Sequence, residues 1–339
     1  MKHIRISGRI IFLTSLIFAF VLTAHAQVIE ESSNNKIIIF DRQKAKIGME
    51  IRSRSEVHEV STRYRTTRSI SAGIGEGQRE IEEKVSNARI RAVSGRIKSV
   101  TEGLPVKMEI ELIEYDELRN EESMPHGVSP KKLKIARRGN DIEIRETNGA
   151  LAAPSTNAAV APYLLEVLEP TLFQHVLEGM ILTQGEKVDF KKIPSSNGEI
   201  DLLEELGNSL FQERRTKWTS GVITLDRIVE DENADQIYGI FLINLRGKRI
   251  QREAEDRENF VVGNGVLVLR ESDLVAVRKE IRYISRTWET IPAESEDEVV
   301  DVVYEIDRVL DEIMGYPPHL PSEVLNYQAP RIKEFQYLP

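Results

Sequence analysis

The sequence predicts an α+β protein, mainly β: a large curved antiparallel sheet of meander hairpins, curling towards a half-barrel, with a few covering helices. Three observations predict it. Apolar and polar residues alternate through much of residues 47–115, the period of a strand with one buried face. Four further strand-like segments follow one another between Thr219 and Thr287, joined by short polar turns, as in an antiparallel meander. Three-and-four spacing of apolar residues is confined to three stretches, so helices are few.

In chain order, residues 1–26 come first. Lys2, Arg5 and Arg9 precede an apolar run over residues 10–23, and Ala24-His25-Ala26 follows. This pattern is that of a secretory signal peptide cleaved before Gln27. The run is too short for a membrane span, which needs roughly 20 apolar residues. The expected product is exported, periplasmic or extracellular, with no transmembrane span after cleavage. The chain has no Cys and no Asn-x-Ser/Thr sequon, so its core must hold without disulfides. The whole chain has a net charge of −9. Removing three basic residues with the leader leaves about −12, which argues against nucleic acid as a partner.

Residues 27–148 read as an N-terminal β-rich part. Ile47, Met49 and Ile51 alternate; Ile90, Ala92 and Ile97 mark a second strand; Met108, Ile110 and Leu112 mark a third after the turn at Gly103. Gly139-Asn140 joins two strand-like segments as a two-residue hairpin turn. Residues 148–157 are small and turn-rich, as in a linker; they separate two sheets or connect two parts of one. The second part spans residues 158–315, a β-meander with flanking helices. Helical spacing covers residues 158–182, with Pro162 in the first turn and Pro170 as a breaker, and again 200–211. Val299, Val302, Val303, Ile306, Val309, Leu310 and Ile313 predict a third helix over 298–314, ended by Gly315. Residues 316–339, with five prolines, should form an extended tail; if it serves only as a docking segment, its removal should not lower stability.

Motifs for chemistry are weak. Gly73-Ile74-Gly75-Glu76-Gly77 lacks the Lys and Ser/Thr of a phosphate loop and reads as a loop between strands. His58, His126, His175 and His319 fall in no metal-ligand pattern, and no Gly-x-Ser-x-Gly elbow occurs. We therefore expect no catalytic residue, no metal and no cofactor. Among 55 acidic residues any carboxylate pair could be nominated, so a carboxylate-based hydrolase is the least favoured reading.

Two groups are candidates for ligand binding. Arg63, Arg65 and Arg68 lie in the most basic stretch of an acidic chain, and Arg forks suit carboxylate or phosphate. Arg63 and Arg65 point one way on a strand and Tyr64 the other. Trp218 and Trp288 could line a groove, although core packing is the usual role of a strand Trp. A curled sheet with helices over one opening is similar in architecture to the bacterial half-barrels that carry lipid or lipoprotein across the periplasm. That likeness rests on the strand pattern and on no motif. It implies that the apolar faces of residues 222–228, 237–245 and 266–277 line a cavity, with the 298–314 helix as its lid. The resulting expectation is a non-catalytic protein that binds a lipid, another apolar ligand, or an envelope protein through its sheet. The alternative is an envelope assembly module that docks through an edge strand or the C-terminal tail.

Overall fold

The computed structural model describes residues 36–40, 45–72, 79–138, 141–168, 176–188, 193–195, 198–211, 216–250, 258–315 and 320–328. The leader, the Gly73–Gly77 loop, the Gly139-Asn140 turn, Pro170, His175 and His319 lie outside them. The chain divides into two units, Met1–Ile37 and Ile38–Pro339. The elements belong to the second, β1 starting one residue ahead of it.

The first part holds β1 (Ile37–Ile39), β2 (Glu50–Ser69), β3 (Arg79–Thr101), β4 (Leu104–Arg119), β5 (Glu122–Ser123), β6 (Lys131–Arg138) and β7 (Asp141–Glu146). Helix α1 (Pro154–Leu168) follows, then the short strands β8 (Ile181–Thr183), β9 (Lys187–Val188), β10 (Ile193–Ser195) and β11 (Gly198–Ile200). Helix α2 (Leu202–Phe211) leads into β12 (Thr216–Asp231), β13 (Gln236–Arg249), β14 (Glu258–Arg270), β15 (Ala276–Pro292) and β16 (Glu298–Met314), with α3 (Ser322–Leu325) last.

Twelve strands form one open sheet, in the order β7-β6-β4-β3-β2-β16-β15-β14-β13-β12-β9, with β5 on β4. Every pairing with a recorded register in it is antiparallel. The two strand-rich stretches therefore share this sheet, because β16 returns to pair with β2 from Ser53 to Ser69. Register shifts in β3–β4, β12 and β14–β15 bend and twist it locally.

The 298–314 segment is a strand, not a helix. Its apolar residues fall on both faces: Val302, Ile306 and Leu310 on one, Val299, Val303, Val309 and Ile313 on the other. A central strand flanked by β15 and β2 needs apolar residues on both sides, so simple alternation is lost. Its five valines suit the pleat. Gly315 ends this strand with φ +110°, its N–H donating to the Arg52 carbonyl at 2.7 Å.

Helix α1 begins at Pro154, inside the expected linker, and Pro162 lies within the helix rather than in its first turn. There it withholds an i→i−4 bond from Ala158. The linker residues Ala150 and Ala152 double back on β7, bonding Glu146 N–H and Ile144 C=O at 2.8 and 3.0 Å.

Both long helices cover the same face of the sheet. Under α1 lie Val93, Ile97, Met108, Ile110, Leu112, Leu133 and Ile135; under α2 lie Trp218, Ile223, Leu225, Phe241, Ile243 and Ile281. Gly95 is required where α1 crosses, because a Cβ there would collide with Tyr163 Oη. That hydroxyl donates to the Ile51 carbonyl at 2.9 Å. On the opposite face Val229, Tyr238, Ile240, Val266, Val268 and Val277 pack with Leu320 and Val324 of the tail. The described tail is thus not an extended strap. It makes a helical turn whose Val324 is fully buried, and Arg278 Nη1 donates to the Val324 and Tyr327 carbonyls at 2.8 and 2.7 Å.

Among the described residues no helix is long and apolar enough to cross a membrane.

Candidate functional site

The two helix-covered cores are separated by a polar strip on β15, β16, β2 and β3. The register places Lys279, Glu312, Ser55 and Arg91 in one row across these four strands, all with side chains on the helix-covered face. Glu312 is 3% exposed, Arg91 6% and Lys279 8%. Glu312 Oε1 accepts from Ser53 Oγ at 2.9 Å and from Arg91 Nη2 at 3.1 Å; its Oε2 accepts from Lys279 Nζ at 3.4 Å. Burial pushes the Glu312 carboxyl up, but Lys279, Arg91 and the Ser53 bond outweigh it and hold it below the usual range. A buried carboxylate persists only with this kind of compensation.

One row along the strands stand Ile281, Leu310 and Val57; the next holds Tyr283, Arg308 and Glu59. Helix α2 lies over them. Asp201 starts it, its Oδ1 accepting from the Leu203 and Glu204 N–H groups at 3.0 and 3.3 Å, as an N-cap carboxylate does. Leu202, Leu206 and Leu210 then recur every fourth residue and are buried. Gly207 lets the helix rest directly on the Trp218 ring, where any Cβ would clash. Phe211 packs 5.0 Å from the Trp218 ring and 6.4 Å from Tyr283. A small cleft remains between α2 and the strip, lined by Val57, Leu210, Phe211, Ile281, Tyr283, Arg308 and Leu310, with a volume of about 20 Å³. That is room for about one water. At its rim Arg308 pairs with Glu59 at 2.6 Å, and its guanidinium lies 5.5 Å over the Tyr283 ring.

The five residues singled out from sequence do not form one site. Arg63 and Arg65 share the helix-covered face, opposite Tyr304 and Val302. Arg63 is paired with Glu82 at 2.9 Å and lies 5.3 Å over Tyr304; Arg65 is exposed. Arg68 is on the other face, held by Asp301 at 2.6 Å and by the Ala72 carbonyl at 2.7 Å. Trp218 is 2% exposed, in the α2 core. Trp288 is half-buried on the outer face, 6.2 Å from Phe260, in register with Val303, which in turn faces Tyr64. The strands expected to line a cavity instead pack Ile223, Leu225, Phe241, Ile243 and Leu267 into the α2 core.

Arg91, Lys279 and Glu312 escaped sequence reasoning because they lie 221 and 33 residues apart. One signal was present. Glu312 sits between Leu310 and Met314, and Arg91 two before Val93, where alternation demands an inward residue.

No carboxylate dyad emerges from the pair whose proton affinities diverge. Asp311 is pushed up by burial and by the charges of Glu280 and Glu56, against Arg278. Its neighbour Glu312 is pulled down, yet the two project to opposite faces of β16. Among the described residues no group of three or more His, Cys, Asp or Glu could hold a metal ion.

No protein-family model and no curated protein matches the chain. Among solved structures, the chain is similar to a DUF1329 family protein from Desulfovibrio piger, with 8% identity over 80% of this chain and 90% of that one and a TM-score of 0.12. A score that low carries no argument.

Proposed function

We propose that this is an exported binding protein rather than an enzyme, and that it carries an apolar or amphipathic ligand on the helix-covered face of its sheet. In this reading α2, not the 298–314 segment, is the cover. The observation that carries it is the cleft under α2, where Val57, Leu210, Phe211, Ile281 and Leu310 meet the polar rim of Arg308 and Glu59. Apolar walls with a few convergent polar groups are the usual make-up of a ligand site. The closed cleft is far smaller than a lipid, so entry requires α2 to lift from Trp218. At Gly207 the helix presents a bare backbone to that ring, so lifting α2 has to withdraw Phe211 from it, together with Leu206 and Leu210 from the same core.

The test uses the two tryptophans. Trp288→Phe leaves Trp218, under α2, as the only reporter. Organic extraction of the purified full chain is expected to release a stoichiometric apolar molecule. Oleate added to the stripped protein is expected to shift Trp218 emission saturably. An empty extract together with unchanged emission would overturn the reading. Export is checked separately: the intact mass of the secreted product should lack residues 1–26.

A further inference from the structure

Away from the tail, the outer face carries a row of apolar side chains that runs across neighbouring strands. Register places Trp288, Val303, Tyr64 and Ile81 opposite one another on β15, β16, β2 and β3. Phe260 of β14 extends the row, its ring 6.2 Å from that of Trp288. The four strand spacings from β14 to β3 give it a length of about 19 Å. Phe260, Trp288, Val303 and Tyr64 are half-buried, and Ile81 is 62% exposed. On β15, β16 and β2 the row is one residue wide, because the next positions on this face are polar. Along one border Arg286 pairs with Glu305 at 3.0 Å, followed by Thr62 and Lys84. Along the other, Thr290 Oγ1 donates to Asp301 Oδ1 at 2.7 Å, and Arg68 holds the same carboxylate. Thr62 and Thr66 flank Tyr64 and are buried, so the aromatic residue is the one that reaches the surface between them.

We propose that this row is a second binding site, on the face opposite the cleft under α2, for an extended β-linked glycan without charge. Width, spacing and polarity select that ligand. A pyranose offers an apolar C–H face edged by hydroxyls, which matches an apolar row one residue wide between two polar borders. The negative face of an aromatic ring attracts such C–H groups. Trp288 and Tyr64 stand two strands apart, about 10 Å. An extended β-linked chain of glucose type advances by about one strand spacing per sugar, and successive sugars present opposite faces. Alternate sugars of one chain therefore turn the same face to Trp288 and to Tyr64. The arginines and carboxylates of the borders are already neutralised in pairs, which suits hydroxyls, able to donate and to accept, better than phosphate or carboxylate. A protein partner needs a broader apolar patch than a row this narrow.

The experiment titrates the full chain calorimetrically with cellohexaose and chitohexaose. The curved, α-linked maltohexaose and a single-stranded oligothymidylate, whose bases also stack on aromatic rings, serve as counterparts. A β-linked hexamer should bind, and about tenfold more tightly than its own disaccharide, which cannot span both rings. Trp288→Ala and Tyr64→Ala should each weaken the hexamer about tenfold through one lost stacking contact. Saturating oleate, directed to the cleft under α2, should leave glycan affinity unchanged, so this site and that one stand or fall separately. Melting curves confirm folding, and if one ring variant unfolds the other decides together with the disaccharide comparison. Binding of neither β-linked hexamer, equal binding of maltohexaose or of the oligothymidylate, or unchanged affinity in a folded ring variant would each overturn the proposal.

Discussion

Asp311 and Glu312 are chain neighbours in the middle of the sheet, yet the two faces of β16 treat them in opposite ways. On the helix-covered face Glu312 is enclosed and answered by Arg91, Lys279 and Ser53. On the other face Asp311 is solvent-exposed and stands in a row with Glu56 and Glu280. The carboxyl of Glu312 is held down and that of Asp311 pushed up. The lesson is that a central strand separates two electrostatic environments by the thickness of its own backbone. For Glu312 the cationic partners overrule burial, whereas for Asp311 burial, the larger cause, and the like charges of Glu280 and Glu56 push the same way against Arg278.

The largest way to break this contrast is Glu312→Gln, which leaves Arg91 and Lys279 facing a neutral amide. Removing one partner of a buried ion group costs about 3–5 kcal/mol, to be read from urea unfolding midpoints at neutral pH. Next, Val324→Ala tests whether the tail belongs to the outer face. Its fully buried side chain predicts a loss of about 2 kcal/mol. Loss of stability on ending the chain at Gly315 would make the same point, and a tail free to leave would change neither.

Acid titration sharpens the comparison. Glu312 has a folded-state affinity for protons below its ordinary value of 4.5. Its stabilisation is therefore complete above that value and is lost as pH falls through the depressed one. Asp311 lies above its ordinary 3.8, so its cost is present at neutral pH and disappears as pH falls towards 3.8. Glu312→Gln should flatten the acid limb of the stability curve. The smallest effect is expected from Asp311→Asn, a gain of about 0.5 kcal/mol at neutral pH, reduced by solvent screening. That gain should vanish in acid, and a variant less stable than the parent at pH 7 would contradict the assignment.

Much of the fold was legible locally. Period-two runs located β4 and β12–β15 and touched only the start of β2 at Ile51, and the acidic turn after β12 is a hairpin tip in which Asp231 Oδ1 accepts from Asn233 N–H at 3.1 Å. The spacing of Leu202, Leu206 and Leu210 located α2. The 298–314 segment was misread because its valines satisfy a helical stripe and a doubly buried strand equally well, and only the neighbours β15 and β2 distinguish the two. The arginine cluster was visible as composition. Alternation then divided it, sending Arg63 and Arg65 to one face and Arg68 to the other.

What the sequence determined by itself was the class of fold and the position of most strands, because alternation, turn residues and β-branched side chains act over a few neighbouring residues. Which strand lies beside which was a tertiary decision. The return of β16 to β2 gathers Ser53, Arg91, Lys279 and Glu312 into one buried row, and it seats the tail on Arg278. Such contacts join residues up to 259 positions apart. They stabilise the protein only once the sheet has brought their strands together, so no local pattern encodes them.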